Sequence, residues 1–151
     1  MPTLNEKNIN RFLMFKLPSA WLCGVRVAVL KSDFCKVHVT HKWINQNPFN
    51  SMFWAVQGMA AEMSTGALVM TKIQNSGKNI SMLVANNKAN FSKKAKGKIV
   101  FTCEDGAKID DALRKAIETG IGQTFWMTAI GKDAIGDIVS TFDFEWTIKC
   151  K

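Results

Sequence analysis

The chain has 151 residues, 47% hydrophobic and 21% charged, which suits one folded domain able to bury its own core and excludes a disordered chain. Lys and Arg number 20 against 12 Asp and Glu, a formal charge of +8 that attracts polyanions in general without specifying one. The opening MPTLNEKNINRF places polar and acidic residues where a cleavable apolar leader would lie, which predicts a cytoplasmic protein.

Apolar residues at Ile9, Phe12, Leu13 and Leu17 fall at helical spacing and predict a helix over about 5–17, stopped by Pro18. VRVAVLKSDFCKVHVTHKW predicts two strands, 25–31 and 34–43, joined at Ser32 and Asp33. Alternation puts Cys35, Val37, Val39 and Trp43 on one face of the second. A central helix is predicted over about 48–65, because Met52, Val56, Met59, Ala60 and Met63 recur at three and four. Pro48 or Ser51 suits its first turn, Asn47 or Asn50 its cap, and Gly66 its stop. The rest of its surface is also apolar or small, so the fold should enclose it. Gln57, Glu62, Ser64 and Thr65 argue against a membrane span.

Residues near 79–91 and 98–104 read as extended, and 104–120 as an amphipathic surface helix with Ile109, Leu113, Ala116 and Ile117 inward. Two strands, 124–130 and 138–150, follow, joined by the turn GKDAIG. In the last, Ile138, Ser140, Phe142, Phe144, Trp146, Ile148 and Cys150 share one face, and Asp137, Thr141, Asp143, Glu145, Thr147 and Lys149 the other. That is a long antiparallel strand with one wet face. Cys23, Cys35, Cys103 and Cys150 show no CxxC spacing, and His38 and His41 fall on opposite faces of a strand, so no metal site or cofactor is expected.

Several long antiparallel strands and one helix enclosed by them describe a curved sheet wrapped round a helix, the α+β hotdog fold, over 1–151. Two segments carry a family likeness: N-P-F-x-S-x-x-x-x-x-x-G-M-A-A-E-x-x-T-G from Asn47, and D-x-x-G-D-I-V-S-T-F-x-F-x-W-x-I-K from Asp133. From about residue 20 to the end the chain resembles a group of thioesterase-like hotdog proteins akin to the acyl-CoA thioesterases. The resemblance implies an acyl-CoA or acyl-carrier substrate held between the subunits of a homodimer or tetramer, with the thioester carbonyl at a helix N-terminus. It also implies a helix carboxylate acting on water or on the carbonyl carbon, and Glu62 lies where that carboxylate is expected. Trp54 falls where relatives use a glycine N–H as oxyanion donor, and Phe53 where many carry histidine, so the His-Gly-Gly pattern is absent.

The residues support a site independently of the likeness. Glu62 is a lone carboxylate in an apolar segment, and burial would raise its pKa and make it a better base near neutral pH. Ser51, Ala55, Gly58 and Glu62 follow at intervals of four, three and four and so form one stripe of the helix, either a groove for a pantetheine arm or acyl chain or a place for a strand to approach closely. Asn47, Asn50 and Gln57 are candidates to orient water or the carbonyl, with Thr65 on the next turn; capping is the structural alternative for Asn47 and Ser51. Phe53 and Trp54 sit at the substrate end, and Lys93 and Lys94, from the run Lys88 to Lys98, could grip coenzyme A phosphates. The eight residues from Trp54 to Glu62 span about 12 Å of helix, too far to share one carbonyl, so an antiparallel partner helix is expected to complete the site. Two other readings are a non-catalytic acyl-thioester or lipid binder and, weakest for want of a recognition motif, a nucleic-acid domain using the lysines and Phe91.

Overall fold

In the computed structural model, which describes residues 3–151, the first predicted helix is α1 (Glu6–Lys16), capped by Asn5, whose side chain accepts from the Asn8 N–H at 2.9 Å. Ile9 and Leu13 are its buried positions. Pro18 ends this helix and opens another, α2 (Pro18–Leu22), because a first-turn residue needs no backbone donor.

β1 (Arg26–Leu30) and β2 (Cys35–Thr40) form the expected hairpin, with Cys35, Val37 and Val39 fully buried. β2 stops three residues earlier than predicted, and a short 3₁₀ turn, Trp43–Asn45, follows. Buried Asn45 fixes that turn: its amide donates to the Cys23 and Thr40 carbonyls, each at 2.9 Å, and its oxygen accepts from the Lys42 N–H. Trp43 is consequently turned outward, 83% exposed, instead of sharing the inner face.

The central helix, α3 (Trp54–Ser76), differs from the predicted 48–65 at both ends. Residues 46–52 form a small hairpin, bridged between Gln46 and Met52, with Asn-Pro-Phe-Asn at its tip. Asn47 accepts from the Asn50 N–H through its carbonyl and from the Phe49 and Ser51 N–H groups through its side chain, while Asn50 adopts a left-handed φ of 57°. Turn chemistry of Asn and Pro therefore overrides the apolar periodicity there. Neither Asn47 nor Asn50 caps α3; Phe53 occupies that position without a side-chain hydrogen bond. Gly66 does not end the helix either, and Gly77, at φ 66°, does.

The remaining strands are β3 (Ile80–Phe91), β4 (Lys98–Cys103), β5 (Gln123–Lys132) and β6 (Ile138–Cys150). α4 (Gly106–Thr119) lies between β4 and β5 and buries Ile109, Leu113 and Ala116, but Ile117 stays 40% exposed, contrary to expectation. The six strands form one antiparallel sheet in the order β1-β2-β4-β5-β6-β3. Its inner face supplies Val37, Phe101, Met127, Phe142 and Ile148 to a core completed by Ala60, Ala67 and Leu68 of α3. A curved sheet wrapped round one long helix is the expected hotdog arrangement.

The two sheet edges are treated differently. α1 covers β1: Asn10 exchanges two hydrogen bonds of 2.9 Å with the backbone of Val27, and Glu6 accepts from the Leu30 N–H at 2.9 Å. The other edge, along β3, has no strand beside it among the described residues. No helix among the described residues is long and apolar enough to cross a membrane.

Candidate functional site

Glu62 is exposed on the open side of α3, beside the half-buried Ala55, Gly58 and Met59. Solvent reaches it in the single chain, so it is less sequestered than the sequence predicts. Protein nevertheless packs round it on the other sides, and this burial raises its pKa above the ordinary carboxylate range. No ion pair or hydrogen bond engages its carboxylate among the described residues. Lys16 lines the same groove without reaching ion-pair distance.

The backbone that carries Glu62 is tied to the sheet. Trp146 donates its indole N–H to Thr65 Oγ1 at 2.9 Å, and Thr65 donates in turn to the Glu62 carbonyl at 2.8 Å. Thr65 is therefore a fully buried support, not a group on the substrate side. Trp146 was legible as an inward residue, but no sequence signal pairs it with Thr65. Gly66 reinforces this contact, since a Cβ there would stand 3.3 Å from the Trp146 ring. Thr65→Val is expected to lower stability by about 1–3 kcal/mol, because it strands a buried indole donor; chemical denaturation measures this.

Gln57 is also occupied. Its Oε1 accepts from buried Ser140 at 2.7 Å and its Nε2 donates to the Met52 carbonyl at 3.2 Å, which satisfies the amide within the fold. Asn47 and Ser51 bind one another, Nδ2 to Oγ at 2.9 Å, within the hairpin before the helix. Ser51 thus does not belong to the helical stripe, which begins at Ala55. Gly58 makes room for Phe142, whose ring lies 3.4 Å from where its Cβ would be. Asn50 sits exposed at the hairpin tip.

At the helix start the Val56 and Gln57 N–H groups donate to the Phe53 carbonyl, leaving those of Trp54 and Ala55 without an acceptor among the described residues. This helix start borders a cavity of about 530 Å³ lined by Phe49, Phe53, Trp54, Phe91 and Lys94 among others. Phe53 and Trp54 meet edge to face at 5.9 Å, both exposed. Lys93 and Lys94 border the cavity, but Lys93 is clasped by Asp133 at 2.6 Å and Asp137 at 2.8 Å. Lys94 is exposed and unpaired among the described residues.

A family model described as a domain of unknown function, DUF4442, matches residues 5–148. The chain belongs to the DUF4442 family. No curated protein matches this DUF4442 chain, but solved structures do. A Pseudomonas aeruginosa protein of unknown function, described as a probable thioesterase, superposes with a TM-score of 0.83 at 22% identity, covering 100% of this chain and 99% of the other. A thioesterase from Haemophilus influenzae gives 0.76 at 11% identity, covering 99% and 93%. A mutant thioesterase from Pseudomonas aeruginosa gives 0.74 at 11%, covering 99% and 97%. These likenesses establish the hotdog fold of the DUF4442 chain.

Proposed function

We propose that this protein hydrolyses acyl-CoA thioesters as a homodimer, with Glu62 of one chain acting at the α3 N-terminus of the other. The observation that carries this reading is an unpaired carboxylate of raised pKa on the open side of the central helix. The unsheltered inner face of the second half of β3, at Asn87, Ala89 and Phe91, and the exposed start of α3 supply a surface for a second copy. An antiparallel partner would bring its Trp54 and Ala55 N–H groups to the thioester oxygen, where they stabilise negative charge. Glu62 takes a proton from a water molecule as the water oxygen bonds to the carbonyl carbon, and the tetrahedral intermediate then expels the thiolate, which takes that proton from Glu62. The products are a carboxylic acid and free coenzyme A.

Lys94, rather than ion-paired Lys93, is the residue suited to the coenzyme phosphates. Lys94→Glu is expected to raise KM by roughly fivefold, the scale of one exposed charge interaction, with the effect shrinking as salt increases. The decisive experiment is thiol release from short, long and aromatic acyl-CoAs; no turnover above buffer with any of them overturns the proposal. A second reading, a non-catalytic acyl-thioester binder, draws on Phe53 and Trp54 standing where relatives carry histidine and glycine. It requires ligand-dependent stabilisation with no hydrolysis.

A further inference from the structure

The groove that reaches Glu62 continues well past it. One section, of about 450 Å³, runs between α1, α3 and β3, lined by Phe12, Leu17, Met63, Met82 and Val84 beside Glu62. A second, of about 860 Å³, shares Phe12, Met70 and Met82 with it and extends to Ile73 and Gln74. The two are thus neighbouring stretches of one trough, floored by α3 and walled by α1 on one side and β3 on the other. At its far end the Leu4 N–H donates to Gln74 Oε1 at 3.1 Å, tying the start of α1 to the end of α3. Asn8, Asn75 and Asn79 make that end polar.

We propose that this trough is the acyl-chain site and takes a linear chain of about ten to fourteen carbons. The occupant follows from three properties. The trough is continuous with the carboxylate assigned to the thioester, so its contents must be what is attached to the carbonyl; this rests on the hydrolase reading above. Its middle is apolar and rich in methionine, whose flexible side chains adapt to a slender ligand. Its length fits: Glu62 to Met70 is eight residues, about 12 Å, and Glu62 to Gln74 is twelve, about 18 Å. An extended chain with 1.52 Å bonds and angles near 111° advances about 1.25 Å per carbon, giving about ten carbons to Met70 and fourteen to the polar end.

The test uses S-alkyl coenzyme A thioethers of four, eight, twelve and sixteen carbons, which bind without being cleaved, with affinity read by calorimetry and folding by melting temperature. Affinity is expected to rise by at most roughly fourfold per added methylene up to twelve carbons and by much less per methylene from twelve to sixteen, where the chain outruns the trough. Met70→Trp and, separately, Met82→Trp fill the trough from partly exposed positions and are expected to flatten the series. Equal affinity for four and twelve carbons in the unaltered protein overturns the proposal, as does an unchanged series in both folded tryptophan variants. Should neither variant fold, the series on the unaltered protein decides alone. The two readings separate cleanly. A rising series without hydrolysis of any acyl-CoA keeps the trough and removes the hydrolase; hydrolysis at all lengths with flat thioether affinities does the reverse.

Discussion

Glu62→Gln is expected to lower kcat/KM for acyl-CoA hydrolysis by about 10²–10⁴-fold, the usual contribution of a positioned general base, and at the same time to raise the melting temperature at neutral pH. Both effects share one cause. Burial raises the folded-state pKa of Glu62 above its unfolded value, so the folded chain binds this proton more tightly than the unfolded chain does. The ionised carboxylate therefore weakens the fold at high pH. Stability rises as pH falls through the raised pKa, and the gain is complete below the unfolded value. An amide of the same shape removes that titration, so the variant should be more stable at neutral pH and lose this part of the pH dependence. Activity runs the other way, because the base must be ionised: the acid limb of the kcat/KM profile should fall at a pH above that of an ordinary glutamate. Thiol release across pH, with thermal melts of both proteins, reads all three effects. Full activity in the variant would remove Glu62 from the mechanism, and unchanged melting would show that its burial carries no cost.

Much of the fold was legible because period-two alternation is hard to counterfeit over a long strand. β6 buries Ser140, Phe142, Phe144, Trp146 and Ile148 on the face that alternation predicted, but at its start the irregularity opposite Gly131 and Lys132 buries Val139 and leaves Ile138, expected inward, 45% exposed. The central helix was legible as an enclosed helix, but its ends were not. Asn47, Pro48 and Asn50 are helix-starting residues and turn residues alike, and what decided between them was a bridge to Gln46, which lies outside the local pattern. Gly66 reads as a helix stop in sequence, yet its missing side chain answers to a tryptophan 80 residues away. The same kind of distant partner explains the site. Glu62 was identifiable as a lone carboxylate in an apolar run, whereas the duties of Gln57 and Thr65 depend on Ser140 and Trp146 across the core. The trough beyond Glu62 left only a faint trace, methionines at half-exposed positions on two separate elements, since α1 and β3 face each other only once the sheet has curled.

Ala89→Glu is expected to convert the proposed homodimer to a monomer and to reduce the proposed hydrolysis by at least about 100-fold. Ala89 pairs with Phe142 across β3 and β6 and so points to the inner face of the sheet, where residues on β4, β5 and β6 are buried. Yet Asn87, Ala89 and Phe91 are all exposed, because their own α3 does not cover them. The start of α3 is uncovered as well, with Phe53 42% and Trp54 58% exposed. A partner helix lying antiparallel would cover both surfaces and supply the helix start that Glu62 lacks within its own chain. In a two-fold interface each substitution occurs twice, so two unpaired carboxylates would be desolvated on association, at several kcal/mol in all. In the separated chain the same position is open to water, where a substitution costs within about 0.5 kcal/mol. Light scattering should therefore report a folded monomer whose melting and circular dichroism show an intact domain. Asn90→Glu, one residue along and on the outer face opposite Thr141, provides the control and should remain dimeric or larger. If Ala89→Glu stays dimeric with full activity, the helices do not meet across this face, and the oxyanion donors must come from elsewhere in the chain.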